Sequence, residues 1–214
     1  MKLALQRPWL VATLPERRRM LSWSLTSPGF AQARRIVWRE VRNADLPPEL
    51  DARRWLAEEA AAAGYEDCVC MLTSRDVGSY AEAAANIEGM CVAAAATVGL
   101  SNAERVGARQ SRPRFSGTIN IAVSIDSPLS DGAMIEALAL VAEARTLAVL
   151  EAGLPLASGL ATGTGTDCIV VAAPSGEAAY AGKHTPLGEA IGEATLTAMR
   201  RGVRRWTAER EAQG

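Results

Sequence analysis

The chain has 214 residues, 49% hydrophobic and 22% charged, with a formal net charge of −1. That length suits one large domain or two small ones and allows a substantial core. The near-neutral balance excludes recruitment of nucleic acid or an anionic membrane by a strong overall field.

At the start, Met1–Pro8 has neither the apolar core nor the cleavage site of a signal peptide. Later apolar runs such as Met90–Leu100 are too short to span a bilayer, so the expectation is a cytoplasmic protein without membrane insertion. The first 45 residues predict a β meander with strands over Leu3–Leu5, Trp9–Thr13, Met20–Thr26 and Arg35–Val41. Leu14-Pro15-Glu16 and Ser27-Pro28-Gly29 read as the breaks between them. Spacing of this kind suits antiparallel pairing. Arg17-Arg18-Arg19 in the meander, and Arg200–Arg205 near the end, read as solvated faces.

A helix follows, with Pro47 and Pro48 suiting its first turn and Gly64 its stop. Cys68–Thr73 and Gly89–Val98 predict strands, with a short helical turn over Ser79–Asn86 between them. Cys68 and Cys70 point to one strand face, and with Cys91 and Cys168 they fit no common zinc spacing; all four read as reduced, packed thiols. In Gly117–Asp126, isoleucines and Val123 alternate with Asn120, Ala122 and Ser124, a strand pattern. Ser127–Asp131 turns the chain and caps a helix over Gly132–Glu151, closed by Gly153. Asp167–Ala173 is another strand, and a last helix starts at Thr185 with Pro186 in its first turn. Leu187, Ile191, Ala194, Ala198 and Val203 give that helix an apolar stripe. The sum is a single α+β domain over residues 1–214, with a largely antiparallel or mixed sheet packed against long helices and its strand order open.

Chemistry concentrates between Gly163 and Gly188. His184 is the only histidine, and Lys183 beside it is the only lysine apart from Lys2; all other basic residues are arginine. An ammonium differs from a guanidinium in geometry, hydration and ability to lose a proton, so this exception is informative. Both residues precede the last helix, where free N–H groups favour an anion and a neutral imidazole. A surface histidine that merely precedes a cap is the plain alternative. Gly163, Thr164, Gly165, Thr166 and Asp167 offer close backbone approach, two hydroxyls and a carboxylate, or else a simple tight turn. They are not a P-loop, since no Gly-Lys-Ser/Thr follows. Asn120 in an apolar strand is either a ligand-facing amide or a satisfied core amide, and Arg75 and Asn102 lie just beyond strands. Glu143 and Arg145 in an apolar helix read as a water-exposed face, and Cys168 as a packing thiol rather than a nucleophile.

These residues lie in an ordered set of segments: Leu72–Val77, Ala96–Ala103, Gly117–Ile121, Glu143–Ala148, Ala161–Asp167 and Tyr180–Thr185. Through them the chain resembles the adenosylcobinamide amidohydrolase family of corrinoid salvage, from about residue 68 to 195. The resemblance implies hydrolysis of the amide joining the aminopropanol arm to the corrin ring, giving adenosylcobyric acid and 1-amino-2-propanol. Complete cobamides, as substrates for remodelling, are a second implied class.

Amide hydrolysis needs an activated nucleophile, a stabilised oxyanion and a proton for the leaving amine. The expectation places His184 as base or acid, Asp167 as its orienter and Lys183 at the oxyanion. Gly163–Thr166, Asn120, Asn102 and Arg75 would hold the corrin edge. Water, a cysteine or a threonine remains open as nucleophile. No protein cofactor is implied, because the cobalt belongs to the corrinoid substrate; metal dependence stays open, although one histidine and scattered carboxylates do not make a dedicated zinc site. A corrinoid is the implied partner, nucleic acid is not, and a homo-oligomer is compatible. The competing readings are a non-catalytic corrinoid-binding protein, a phosphate- or nucleotide-binding transferase built on Gly163–Asp167, and a structural module.

Overall fold

A computed structural model describes residues 1–47, 49–108 and 117–212. In chain order its strands are β1 (Lys2–Gln6), β2 (Trp9–Ser22), β3 (Gly29–Glu40), β4 (Cys68–Thr73), β5 (Ala81–Ile87), β6 (Met90–Val98), β7 (Ala103–Glu104), β8 (Ile119–Ile125), β9 (Pro155–Leu156), β10 (Gly159–Leu160), β11 (Gly163–Thr164) and β12 (Cys168–Ala173). The helices are α1 (Ala52–Ala62), α2 (Asp131–Glu151) and α3 (Pro186–Glu211). Eight strands make one mixed sheet in the order β4-β3-β2-β12-β8-β6-β5, with β1 also on β2. The fold is therefore α+β, as the element pattern predicts. Two parallel joins, β3 to β4 and β8 to β12, are made by crossovers that contain α1 and α2.

Strand β2 shapes the sheet. Its Trp9–Thr13 half pairs with Arg35–Arg39 and its Arg18–Ser22 half with Gly29–Ala33, with a register shift between Thr13 and Arg18. Leu14-Pro15-Glu16 is thus a bulge inside one strand, not the break between two, and the strand ends at Ser22 rather than Thr26. Proline is tolerated at such a point because no ladder donor is required there. Arg34 Nε donates to Leu14 O at 3.3 Å across the bulge. On its other edge, the first half of β2 takes β1 and the second half takes β12.

The bent sheet closes on itself. Leu10, Ile36, Trp38 and Met71 from one half pack with Ala95, Ala122, Cys168 and Val170 from the other. Trp38 Nε1 points across this core at Asn120 O, 3.5 Å away. On the outer faces, α2 and α3 cover the apolar side of β8, β12 and β6, while Leu56 and Ala60 of α1 cover Val11, Val37 and Cys70.

Three further expectations change. Of the helical turn foreseen over Ser79–Asn86 only the end of a 3-10 turn, Val77–Ser79, is present; Ala81–Ile87 is strand β5, hairpinned to β6 through Glu88 and Gly89, both at positive φ. Helix propensity of its alanines loses to pairing and to packing under α3. Helix α1 starts at Ala52 under Asp51, whose carboxylate accepts from Arg53 N and Arg54 N at 3.1 Å. Pro47 lies before it, and Pro48 lies outside the described residues; Gly64, at φ +77, does end it. The arginine runs are only partly solvated faces. Arg18 is 6% exposed and donates to Ile125 O at 2.7 Å. Arg201 and Arg205 donate to the carbonyls of Glu82 and Tyr80 at 2.6 and 2.9 Å, which blunts the sheet edge at β5. Among the described residues no helix is long and apolar enough to cross a membrane.

Candidate active site

A cleft of about 860 Å³ opens beside the closed part of the sheet. Trp23, Leu25, Val41, Leu46 and Met71 give it apolar lining, and Asn102, Thr118, Asn120, Thr166 and Asp167 give it polar lining. Its floor is fixed from both halves of the sheet. Asn120 Nδ2 donates to Leu72 O at 2.5 Å, and Thr118 Oγ1 donates to Thr166 O at 2.8 Å. Asn120 is a satisfied, fully buried amide in the floor of the cleft.

Asp167 holds the Gly163–Thr166 turn. Its carboxylate pairs with Arg145 and accepts from Thr164 Oγ1, from Thr164 N at 3.1 Å and from Ile119 N at 3.3 Å. The pair is buried, with Asp167 7% and Arg145 18% exposed at the side chain. Arg145 is thus not on a water-exposed helix face: it turns inward, where Asp167 matches its charge. Burial pushes the Asp167 carboxyl above the usual carboxylate range, and Arg145 with the Thr164 and Ile119 donors pulls it back. Gly163 gives the pair its room, since a Cβ there would lie 2.6 Å from Asp167 Oδ2. Trp23, which no sequence signal singled out, donates from Nε1 to Asp167 O at 2.5 Å and fixes one rim of the cleft.

The predicted site residues divide into two groups. Asn102, Asn120, Gly165, Thr166 and Asp167 meet at the cleft, with Gly163 and Thr164 directly behind. Lys183, His184 and Arg75 are not among its lining residues. Thr185 does cap α3, its hydroxyl accepting from Gly188 N at 2.9 Å, and Pro186 follows as expected. Lys183 and His184 are exposed on that turn, and Lys183 pairs with Glu143 of α2. None of the hydrogen bonds of Asp167 goes to His184. Arg75 Nη2 lies 2.5 Å from Glu209 Oε2 of α3, an ion pair that ties the turn after β4 to that helix.

Two chemical options narrow. Cys168 lines the cleft, but burial and then the Asp167 charge push its thiol up to about 12, so it stays protonated at neutral pH. Cys168→Ala is expected to keep kcat within about threefold of wild type; a loss of about 100-fold or more would make the sulfur a nucleophile. In the turn at Gly163–Asp167 two N–H groups that a phosphate would need are already engaged. Thr164 N is taken by Asp167, and Gly165 N donates to Asn102 O at 3.3 Å. A nucleotide-binding transferase built on this turn loses its main support.

Comparison with known proteins bears on the family. Residues 1–211 match the CbiZ family, described as adenosylcobinamide amidohydrolase. An adenosylcobinamide amidohydrolase of Methanosarcina mazei is 30% identical over 186 residues, 82% of this chain and 85% of its own. Another, from Halobacterium salinarum, is 33% identical over 184 residues, 78% of this chain and 71% of its own. An uncharacterized protein, MJ1613, of Methanocaldococcus jannaschii is 42% identical over 82 residues, 36% of this chain and 32% of its own.

Proposed function

Because the chain belongs to the adenosylcobinamide amidohydrolase family, it is a hydrolase of an amide C–N bond, and we propose that it cleaves the aminopropanol amide of adenosylcobinamide. The products would be adenosylcobyric acid and 1-amino-2-propanol, which serves corrinoid salvage or the remodelling of complete cobamides. One observation carries the reading. The family-like segments Leu72–Val77, Ala96–Ala103, Gly117–Ile121 and Ala161–Asp167, far apart in sequence, converge on one cleft. An apolar wall opposite amide and hydroxyl groups suits a macrocycle whose rim carries amide arms.

In this reading Asn102 and Thr166 bind the substrate rim, Asn120 holds the floor beneath it, and water is the co-substrate, with no protein-bound cofactor. Asp167 acts through the turn that it holds, since its carboxylate is saturated by Arg145 and backbone donors.

Incubation with adenosylcobinamide and mass analysis of the released amine tests the function directly. Release of 1-amino-2-propanol is expected; corrinoid binding without release would make the protein a binder. Turnover lost on chelation and restored by a divalent ion would overturn the metal-free reading. His184→Ala, run alongside, is expected to keep kcat within about threefold, because the imidazole stands outside the cleft. A loss of about 100-fold would instead bring the Lys183-His184 turn into the site.

A further inference from the structure

Among the described residues, the cleft lining holds hydrogen-bonding groups but no free base. Asp167 is tied to Arg145, the Cys168 thiol is protonated, and the single histidine lies elsewhere. Beside the cleft, one carboxylate is unassigned. Glu104, on the short strand β7, pairs with Gly163 of β11. Its Oε2 is buried, yet it has no hydrogen-bond partner among the described residues. A buried carboxylate oxygen without a donor is costly, so its persistence needs an explanation.

The surroundings supply one. Asn102 closes the turn that leads into β7, and Glu104 ends that strand. Both point at Gly165: a Cβ built there would lie 3.4 Å from Asn102 Nδ2 and 3.7 Å from Glu104 Cγ. Gly165 lines both the cleft and a hollow of about 400 Å³ that Glu104 helps to line. The glycine therefore leaves an open place with an amide donor on one side and, on the other, a carboxylate whose Oε2 has no partner among the described residues. Two described cations, Arg105 and Arg145, are engaged elsewhere. Arg105 Nη1 donates to Leu160 O at 3.0 Å, and Arg145 pairs with Asp167.

We propose, resting on the amidohydrolase reading above, that Glu104 is the general base of the hydrolysis, with Asn102 Nδ2 donating to the oxyanion, the two meeting over Gly165. Glu104 accepts a proton from a water whose oxygen forms the new C–O bond to the amide carbon. The carbonyl π pair moves to the oxygen held by Asn102. When the tetrahedral intermediate collapses, that pair re-forms the C=O bond and the C–N bond breaks. The proton on Glu104 passes to the departing nitrogen, giving the carboxylic acid, the free amine and a regenerated carboxylate. Position 165 must stay small for this, because a side chain would stand where the amide carbon sits.

The test is Glu104→Gln, which keeps shape and removes the base, with Glu104→Asp as a second variant that keeps the base but withdraws it. Steady-state kinetics on adenosylcobinamide, corrinoid binding by titration and the urea midpoint are measured together. For Glu104→Gln, kcat is expected to fall by about 100-fold or more, with corrinoid affinity within about threefold and an unchanged midpoint. Glu104→Asp is expected to lie between that variant and wild type. An active wild type whose Glu104→Gln variant keeps kcat within about threefold, or loses only affinity, overturns the inference alone. A wild type that releases no amine overturns the amidohydrolase reading and this inference with it.

Discussion

Arg145→Ala is expected to lower the unfolding free energy by about 3 kcal/mol and kcat/KM by about 100-fold, the first effect following from the loss of a buried ion pair. The substitution removes the cation paired with Asp167, whose carboxylate is 7% exposed. A buried carboxylate without its counter-charge is worth far less than the pair, or it takes up a proton. Burial already holds this carboxyl above the ordinary range, and losing Arg145 pushes it further up. The sign with pH follows. A carboxyl whose folded pKa exceeds its unfolded value stabilises the fold below the unfolded pKa, and that contribution disappears as pH rises through the folded pKa. The deficit of Arg145→Ala is therefore smallest in acid and grows toward neutral pH. Adding Asp167→Asn to Arg145→Ala removes the orphan charge and is expected to recover part of the stability but not the activity. Urea midpoints of both variants at acid and neutral pH decide the matter. A pH-independent deficit, or no gain from the second substitution, would mean that Arg145 contributes packing rather than charge.

The activity loss has a separate cause. Asp167 is the hub on which Thr164, Ile119 and, through its carbonyl, Trp23 converge. Released from Arg145, the turn carrying Gly165 and Thr166 loses its fixed distance to Asn102 and Asn120. Groups that must be placed to a fraction of an ångström then lose catalytic power well before the fold is lost.

What the sequence disclosed and what it hid divides along the range of the forces involved. The start of α3 is a local matter, a threonine cap followed by proline, and its residues alone locate it. The alanine run in β5 is locally helical in preference, and only Gly89 hints at a hairpin; its strand state depends on β6 and α3, which are remote. Pro15 punctuates the chain, but whether it ends a strand or sits in a bulge depends on what β3 places opposite. The same division runs through the site. Asp167 stands at a strand entrance and reads as functional, yet its partner comes from α2, 22 residues earlier, where a lone arginine in an apolar helix was the only signal. Lys183-His184 is legible as a helix N-terminus, whereas its distance from the cleft is set by how α3 docks. Glu104 carries no motif at all, and only burial without a partner marks it.

Gly188→Ala and Gly192→Ala, one turn apart on α3, are expected to change stability in opposite directions. At Gly188 the helix start packs on the preceding turn: a Cβ would stand 2.5 Å from Gly182 C and 2.7 Å from Ala181 O. These are backbone atoms, held by Ala181 N donating to Glu136 Oε2 at 2.7 Å and by Thr185 N donating to Gly182 O at 2.9 Å. They cannot swing aside as a side-chain end can, so either the helix lifts or the turn breaks. A loss of about 3 kcal/mol is expected, at the upper end for overpacking. At Gly192 a Cβ meets nothing within 4 Å, and only the helix preference of alanine remains, a gain of about 0.5–1 kcal/mol. Urea unfolding of the two variants gives both signs in one experiment. The Gly188 variant also displaces the segment with Lys183 and His184 while leaving the cleft lining untouched. If the cleft alone is the site, its folded fraction hydrolyses substrate at nearly the wild-type kcat; a folded but inactive Gly188→Ala would show that the turn before α3 takes part in catalysis after all.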